Sequence, residues 1–249
     1  MILTALVLAA VGASDLLRRF VPRRPVRLVL LIALGAAIVA LGACADALAA
    51  AVVALVLTAL WLWSMPLDAT GRASFWPAVL LGAIAAGATA LMPSRRSPGI
   101  IGDIWQLPSP AGEIGFDVAL LAVGAMLFVT ESANLVVRAA LDREGTWRPA
   151  DQGGALRGGR LRQPQQLATG FQGGRLIGPL ERLIVVVLTL AGAYSLLAAM
   201  LAAKGIVRFP EISKDGETGA RAEYFLVGSL VSWVIALGAA FLVWWAAHS

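Results

Sequence analysis

Cysteine, histidine and charge are all scarce in this chain. One cysteine, Cys44, and one histidine, His248, stand among 249 residues. A single cysteine rules out an intrachain disulfide and any zinc or iron–sulfur centre built on several thiolates. A single histidine, placed next to last, rules out paired-histidine metal sites, bis-histidine haem ligation and a well-held base for a Ser-His-Asp triad. Charged residues make up only 14% against 59% apolar, and the mean hydropathy is +0.81. A soluble domain has too little interior to bury that much hydrocarbon. The apolar residues do not alternate as in the strands of a membrane barrel. They come in blocks of Leu, Ala and Val, the pattern of helices that satisfy their own backbone hydrogen bonds in lipid. The expected fold class is all-α, a polytopic transmembrane helical bundle with no catalytic residue, cofactor or metal.

Crossing the hydrocarbon core takes about 20 apolar residues. Seven runs qualify, near residues 1 to 17, 27 to 44, 47 to 65, 74 to 92, 115 to 138, 178 to 203 and 222 to 247, or six if the first is a half-span. The stretch from Leu28 to Met65 is too long for one span, and Gly42, Cys44 and Asp46 divide it into a hairpin turning at 43 to 47. Residues 1 to 13 resemble the apolar part of a secretory signal, with Gly12, Ala13 and Ser14 at a cleavage-like position. No positive charge precedes that run, while Arg18, Arg19, Arg23, Arg24 and Arg27 follow it, so a retained helix is expected. Three regions result: a five-helix region 1–138, a basic Gly-rich loop 139–177, and a two-helix hairpin 178–249.

The net charge of +5 and pI near 10.3 do not point to nucleic acid, because the basic residues sit beside apolar blocks as topology signals do. With the N-terminus outside, fourteen Lys and Arg fall on the cytoplasmic side and six outside: Arg95, Arg96, Lys204, Arg208, Lys214 and Arg221. That asymmetry places the C-terminus in the cytoplasm. The outer loop, 93 to 114, carries four prolines with Ile100, Ile101, Ile104 and Trp105, apolar enough to lie on the bilayer surface or cap the helices. The inner loop has Gly pairs at 153/154, 158/159 and 173/174 among arginines, a composition that favours a flexible segment near anionic lipid headgroups over a packed core.

Carboxylates within spans are the main candidates for function, since burying a charge in lipid is costly without a partner or a wet pocket. Glu131 lies inside the fifth span, with Asn134 and Arg138 three and seven residues on. These positions draw one polar stripe, and Glu131 is expected to pair with Arg138 or with Arg182, next to Glu181, at the start of the sixth span. A second constellation, Lys204, Arg208, Arg221 and Glu223, is expected at the outer side as an ion-pair staple or an anion and lipid-headgroup site. Asp15 and Asp46 fall at span ends, where water accounts for them. Trp61, Trp63, Trp76, Trp244 and Trp245 fall near cytoplasmic ends, as interfacial anchors do. Small residues spaced by four, as in Gly82, Ala86 and Ala90, suit close helix packing.

Catalytic motifs fail on spacing. Asp215, Gly216, Ala220 and Arg221 resemble a CDP-alcohol phosphotransferase signature, but the run is one residue too long and lacks the later aspartates. Gly102–Asp103 follows Ile100 where an intramembrane aspartyl protease has glycine, and there is no P-loop or G-x-S-x-G elbow. From Gly174 onward, Gly174, Arg175, Gly178, Glu181 and Arg182, then Ala203, Lys204, Arg208 and Phe209, then Glu223, Tyr224, Gly228 and Ser229 resemble the C-terminal two-helix region of an uncharacterised bacterial integral-membrane family. The resemblance covers about residues 174–246. It implies that Lys204, Arg208 and Glu223 matter together, and it carries no activity. Members often begin with a helix bearing a His and an Asp, of which only Asp15 is present here.

The Ala, Gly and Arg bias suits a bacterial cytoplasmic (inner) membrane. The expected function is a non-enzymatic scaffold or accessory subunit of a membrane assembly, with the bilayer, anionic lipids, and a protein partner or second copy as partners. The alternative is a small transporter or lipid-handling protein using Glu131 and the outer Lys204, Arg208 and Glu223 cluster.

Overall fold

The computed structural model describes residues 1–66, 75–92, 95, 99–109, 112–143, 174–213 and 220–249. Among them the chain is helical apart from one two-residue antiparallel ladder. In order the elements are α1 (Ile2–Phe20), α2 (Arg24–Cys44), α3 (Leu48–Ser64), α4 (Trp76–Leu91), the short α5 (Gly99–Ile104), β1 (Pro108–Ser109), β2 (Gly112–Glu113) and α6 (Phe116–Leu127). A wide π turn, Phe128–Ser132, leads from α6 into α7 (Ala133–Arg143), and α8 (Gly174–Leu190), α9 (Tyr194–Ser213) and α10 (Ala220–His248) follow. Most of the inner basic loop, 144–173, lies outside the described residues.

Helix α1 is the axis of the bundle. From Ile2 to Val11 all its residues but Leu3 are buried, and α3, α4 and α6 pack around it. Glycine sets the closest approach. A Cβ on Gly12 would stand 2.6 Å from the backbone of Leu127 and Phe128, and one on Gly124 would stand 2.8 Å from the Ala5 carbonyl. Backbone therefore lies on backbone along this crossing, as small residues permit between membrane helices. Successive contacts of Ala5 with Gly124, Gly12 with Phe128 and Asp15 with Ser132 make α1 and α6–α7 parallel.

The remaining directions follow from named contacts. The Met1 amino group donates to Met92 O, and Thr4 donates to Ala85 O, so α4 runs antiparallel to α1. Arg18 donates to Met65 O, so α3 ends beside the end of α1. The α2–α3 turn at Ala45–Ala47 falls where the sequence places it, with Asp46 at φ +50°. Against that turn, Gly99 at φ +61° brings α5 onto the Cys44 and Asp46 backbone, and Arg95 donates to Ala45 O at 2.7 Å. Arg95 and α5 thus cover the α2–α3 turn.

One expected helix is two. The run 178 to 203 reads as a single span, yet α8 stops at Leu190 and α9 starts at Tyr194. Gly192 sits at φ +67°, its N–H donates to Thr189 O, and the Ala193 N–H donates to Leu188 O. This is a Schellman closure of a helix C-terminus, for which glycine is the favoured residue. The chain folds back, and Lys204 on α9 meets Glu181 on α8. Helix α10 then starts at the arginine-rich end, where Gly228 lies against Val137 and Leu141, and returns to the end where Ala246 shares an apolar cluster with Met1. Both termini therefore lie at one end of the bundle. The expectation of opposite sides assumed that 178 to 203 crosses once.

Polarity is inverted relative to a soluble protein. Trp63 and Leu91 are each 84% exposed, while Asp15 and Ser132 are wholly buried and Arg182 is 2% exposed. An exterior of that kind is stable only against hydrocarbon. Among the described residues, three helices are long and apolar enough to cross a membrane: Arg24–Cys44, Phe116–Leu141 and Ala222–His248. Leu48–Ser64, Trp76–Leu91 and Tyr194–Val207 are shorter apolar helices.

Gly12→Val is expected to destabilise the bundle by at least the roughly 1–3 kcal/mol of an overpacked core, read as a lower midpoint of thermal unfolding in detergent. Gly82→Ala, where an added Cβ meets nothing within 4 Å, is expected to leave that midpoint unchanged.

Candidate functional site

Most polar side chains of the interior gather at the arginine-rich half of the bundle and form a connected string, while Asp117, held by Arg95, and Thr4 with Thr89 lie at the other end. The string begins on α1. The Asp15 carboxylate accepts hydrogen bonds from Trp61 Nε1 on α3 at 2.9 Å and from Ser132 Oγ in the π turn at 2.7 Å, and Arg18 adds a third at 3.2 Å. A carboxylate removed from water is tolerable when its lone pairs are met in this way.

Glu131 precedes Ser132 in the π turn. Arg19 Nη1 lies 3.1 Å from Glu131 Oε1, and Asn134 Nδ2 donates to Oε2 at 3.1 Å. The Arg19 approach is out of line for a hydrogen bond. Among the described residues, Oε1 is therefore buried beside a positive charge yet accepts no aligned donor. The pairing is electrostatic, and the distance outweighs the missing alignment, because Coulomb attraction depends little on angle.

The π turn itself carries the next link. In it the Ala133 N–H donates to Phe128 O, five residues back, which shifts the helical ladder and frees carbonyl oxygens. Arg182 on α8 fills that gap. Its Nε donates to Val129 O at 2.7 Å, one terminal nitrogen donates to Thr130 O at 3.3 Å and to Asn134 Oδ1, and the other donates to Ser232 Oγ on α10 at 3.2 Å. A planar fork of donors suits this task where a lysine would not. Next to it, Glu181 accepts two hydrogen bonds from Lys204, at 2.6 and 2.8 Å, and one from Trp233 Nε1 at 2.9 Å. The Lys204 ammonium also lies over the rings of Trp233 and Phe225, at 5.3 and 5.7 Å from their centroids.

Set against the sequence reading, Glu131 and Asn134 do meet, and Asn134 joins them to Arg182. Glu131 is paired with Arg19 and not with Arg138, which is exposed on α7, nor directly with Arg182. Of the second constellation, Lys204 is held by Glu181 and Glu223 is exposed on α10. The side chains of Arg208 and Arg221 lie outside the described residues. Asp15 is wholly buried, not in water at a span end, and Trp61 is its buried donor, not an interfacial anchor. Arg19, Ser132, Ser232 and Trp233 escaped the sequence reading. The signal for Asp15 was present, because an aspartate one turn ahead of Arg18 and Arg19 is a helix-spaced pair.

Beside this string, a cavity of about 490 Å³ opens between α4 and α10. It is lined by apolar groups, among them Phe75, Gly82, Ala86, Val234 and Phe241, with Leu8 of α1 behind them. No ionisable residue lines it, so it does not extend to Glu131. No protein-family model, curated protein or solved structure matches this chain.

Removing one member of a buried, fully partnered charge site leaves the others exposed to a medium that cannot solvate them. Arg182→Met is expected to cost about 3–5 kcal/mol of stability, whereas Arg138→Met, on the exposed face, is expected to stay within about 0.5 kcal/mol. Unfolding of the two variants in the same detergent compares them directly.

Proposed function

We propose that this protein is a multipass component of a bacterial cytoplasmic membrane that acts as a non-enzymatic scaffold or accessory subunit of a membrane assembly. The observation that carries this reading is the closed state of the polar interior. Asp15, Glu131, Glu181, Arg18, Arg19, Arg182 and Lys204 each have a partner within the bundle, which makes them a register lock between helices. Such a core resists rearrangement and leaves the outer surface for contacts. In this reading α8 and α9 count as two passes. The fold-back of α9 then moves Lys204 and the helix positions of Arg208 and Arg221 to the end that already holds Arg18, Arg19 and Arg138. Arg95 is left as the one basic residue at the other end among the described residues. Basic residues concentrate on the cytoplasmic side, so both termini are assigned to the outside.

The resemblance of residues 174–246 to an uncharacterised membrane family fits this reading without adding an activity. A small transporter or lipid-handling protein is the second reading, favoured by the buried Glu131 Oε1 that lacks an aligned donor. The two differ in whether water reaches that carboxylate.

Extraction in a mild detergent is expected to recover the protein with a stoichiometric partner or as an oligomer, and a clean monomer that transports a solute would replace the scaffold with the second reading. A tag inserted near Gly158 is expected on the cytoplasmic side and one after Ser249 on the outside; tags found on opposite faces from these would remove the topology. In a Cys44→Ala background, Asn134→Cys is expected to resist a water-soluble maleimide, and rapid labelling would favour a wet pathway.

A further inference from the structure

The α1–α2 elbow carries more positive charge than the bundle uses. Five arginines lie between residues 18 and 27, and their surroundings divide them. Arg18 turns inward to Asp15 and Met65 O, and Arg19 to Glu131. Arg23, Arg24 and Arg27 have no carboxylate partner among the described residues, and Arg23 and Arg24 are exposed. The connection is short and stiff. Helix α1 ends at Phe20, α2 begins at Arg24, Val21 and Arg23 are extended with Pro22 between them, and Pro25 stands in the first turn of α2. Arg24 and Arg27 are three residues apart on α2, so they fall on one side of its first turn, and Arg23 stands at the entry to that turn. Around this triad Phe20 is 69% exposed and Leu28 60%, with Val26 half exposed.

A cationic cluster bordered by exposed apolar side chains, at the foot of a helix of membrane-crossing length, meets two chemistries at once. The guanidinium groups face the headgroup layer and the apolar groups face the top of the acyl chains. We propose that the elbow is a binding site for an anionic glycerophospholipid, with the phosphodiester held by Arg23, Arg24 and Arg27 and the glycerol and upper chains resting on Phe20, Val26 and Leu28. Charge complementarity selects the occupant: a guanidinium fork matches phosphate oxygens two at a time, whereas a zwitterionic headgroup brings its own cation and cancels the gain. A water-soluble phosphate satisfies the arginines but leaves the apolar rim exposed. The site rests on the membrane placement of the bundle and is independent of the scaffold reading.

Native mass spectrometry of the full-length protein, released from detergent with added cardiolipin or phosphatidylethanolamine, tests this. Wild-type protein is expected to retain cardiolipin in preference to phosphatidylethanolamine, and excess inorganic phosphate is expected not to displace it. R23Q/R24Q/R27Q is expected to weaken cardiolipin retention by about tenfold or more, while R138Q, which removes one exposed arginine at the same end of the bundle, is expected to leave it unchanged. Retention in the triple variant equal to wild type overturns the site, and so does a loss in R138Q as large as in the triple variant. Ready displacement by inorganic phosphate overturns the lipid as occupant. Should the triple variant fail to fold, the wild-type protein still decides: raising the salt concentration is expected to weaken cardiolipin retention and spare phosphatidylethanolamine, and salt-insensitive retention refutes the proposal. Tag mapping of sidedness is read separately, so a failed topology and a failed lipid site give different results.

Discussion

Asp15 is a carboxylate with no access to solvent in a bundle whose outside is hydrocarbon, and the donors that reach it come from three separate stretches of chain. Trp61 brings the end of α3, Ser132 brings the π turn, and Arg18 brings the next turn of α1 itself. A membrane interior supplies no water to substitute for any of them. The position of α1 at the centre follows from this, because only there do α3 and the π turn both come within reach. Glycine at positions 12 and 124 then permits the backbone contact that such a convergence requires. The hydrophobic effect holds the assembly in the bilayer, but lipid tails are as apolar as leucine, so it does little to choose among arrangements of the helices. Hydrogen bonds of this kind make that choice.

Arg182 performs the matching task from the opposite side. Its guanidinium is stabilised less by a carboxylate than by the carbonyl oxygens that the widened turn leaves open, with Asn134 as the bridge to Glu131. A buried cation and a local break in the helical ladder are each unfavourable alone, and each supplies what the other lacks. The same economy appears one residue earlier, where Glu181 binds Lys204 and brings the outermost helix, α9, against α8. Helices α8, α9 and α10 are thus joined to the α1 core through two adjacent side chains of opposite charge.

How much of this was legible in the sequence depends on the range of the interaction. Apolar blocks marked the helices, and Gly42 with Asp46 marked the α2–α3 turn, because both are local properties of composition and backbone freedom. Glu131 and Asn134 were legible as neighbours for the same reason. Arg138 was assigned to that stripe on the assumption of an unbroken 3.6-residue period, and the π turn changes that phase. The turn at Gly192 was hidden for a different reason. It lies between Ala191 and Ala193 in a run with no charged residue from Leu183 to Ala203, so a search by hydropathy sees one long span where the backbone reverses. Contacts such as Asp15 with Trp61, or Glu131 with Arg19, join residues far apart in the chain, and no spacing rule reaches them.

The widened turn at 128–132 has a consequence for how the two halves of the long α6–α7 helix are phased. One residue of an α-helix corresponds to about 100° of rotation. The face of α6 that presents Gly124 to α1 and the face of α7 that presents Val137 to α10 are aligned with their partners only with that offset in place. Natural variation in the length of this chain should therefore spare the segment between Gly124 and Val137, since a single deletion there would turn α7 to offer lipid the side that now meets α10. Loops elsewhere absorb a gained or lost residue by slackening. A helix clamped at both ends has to turn.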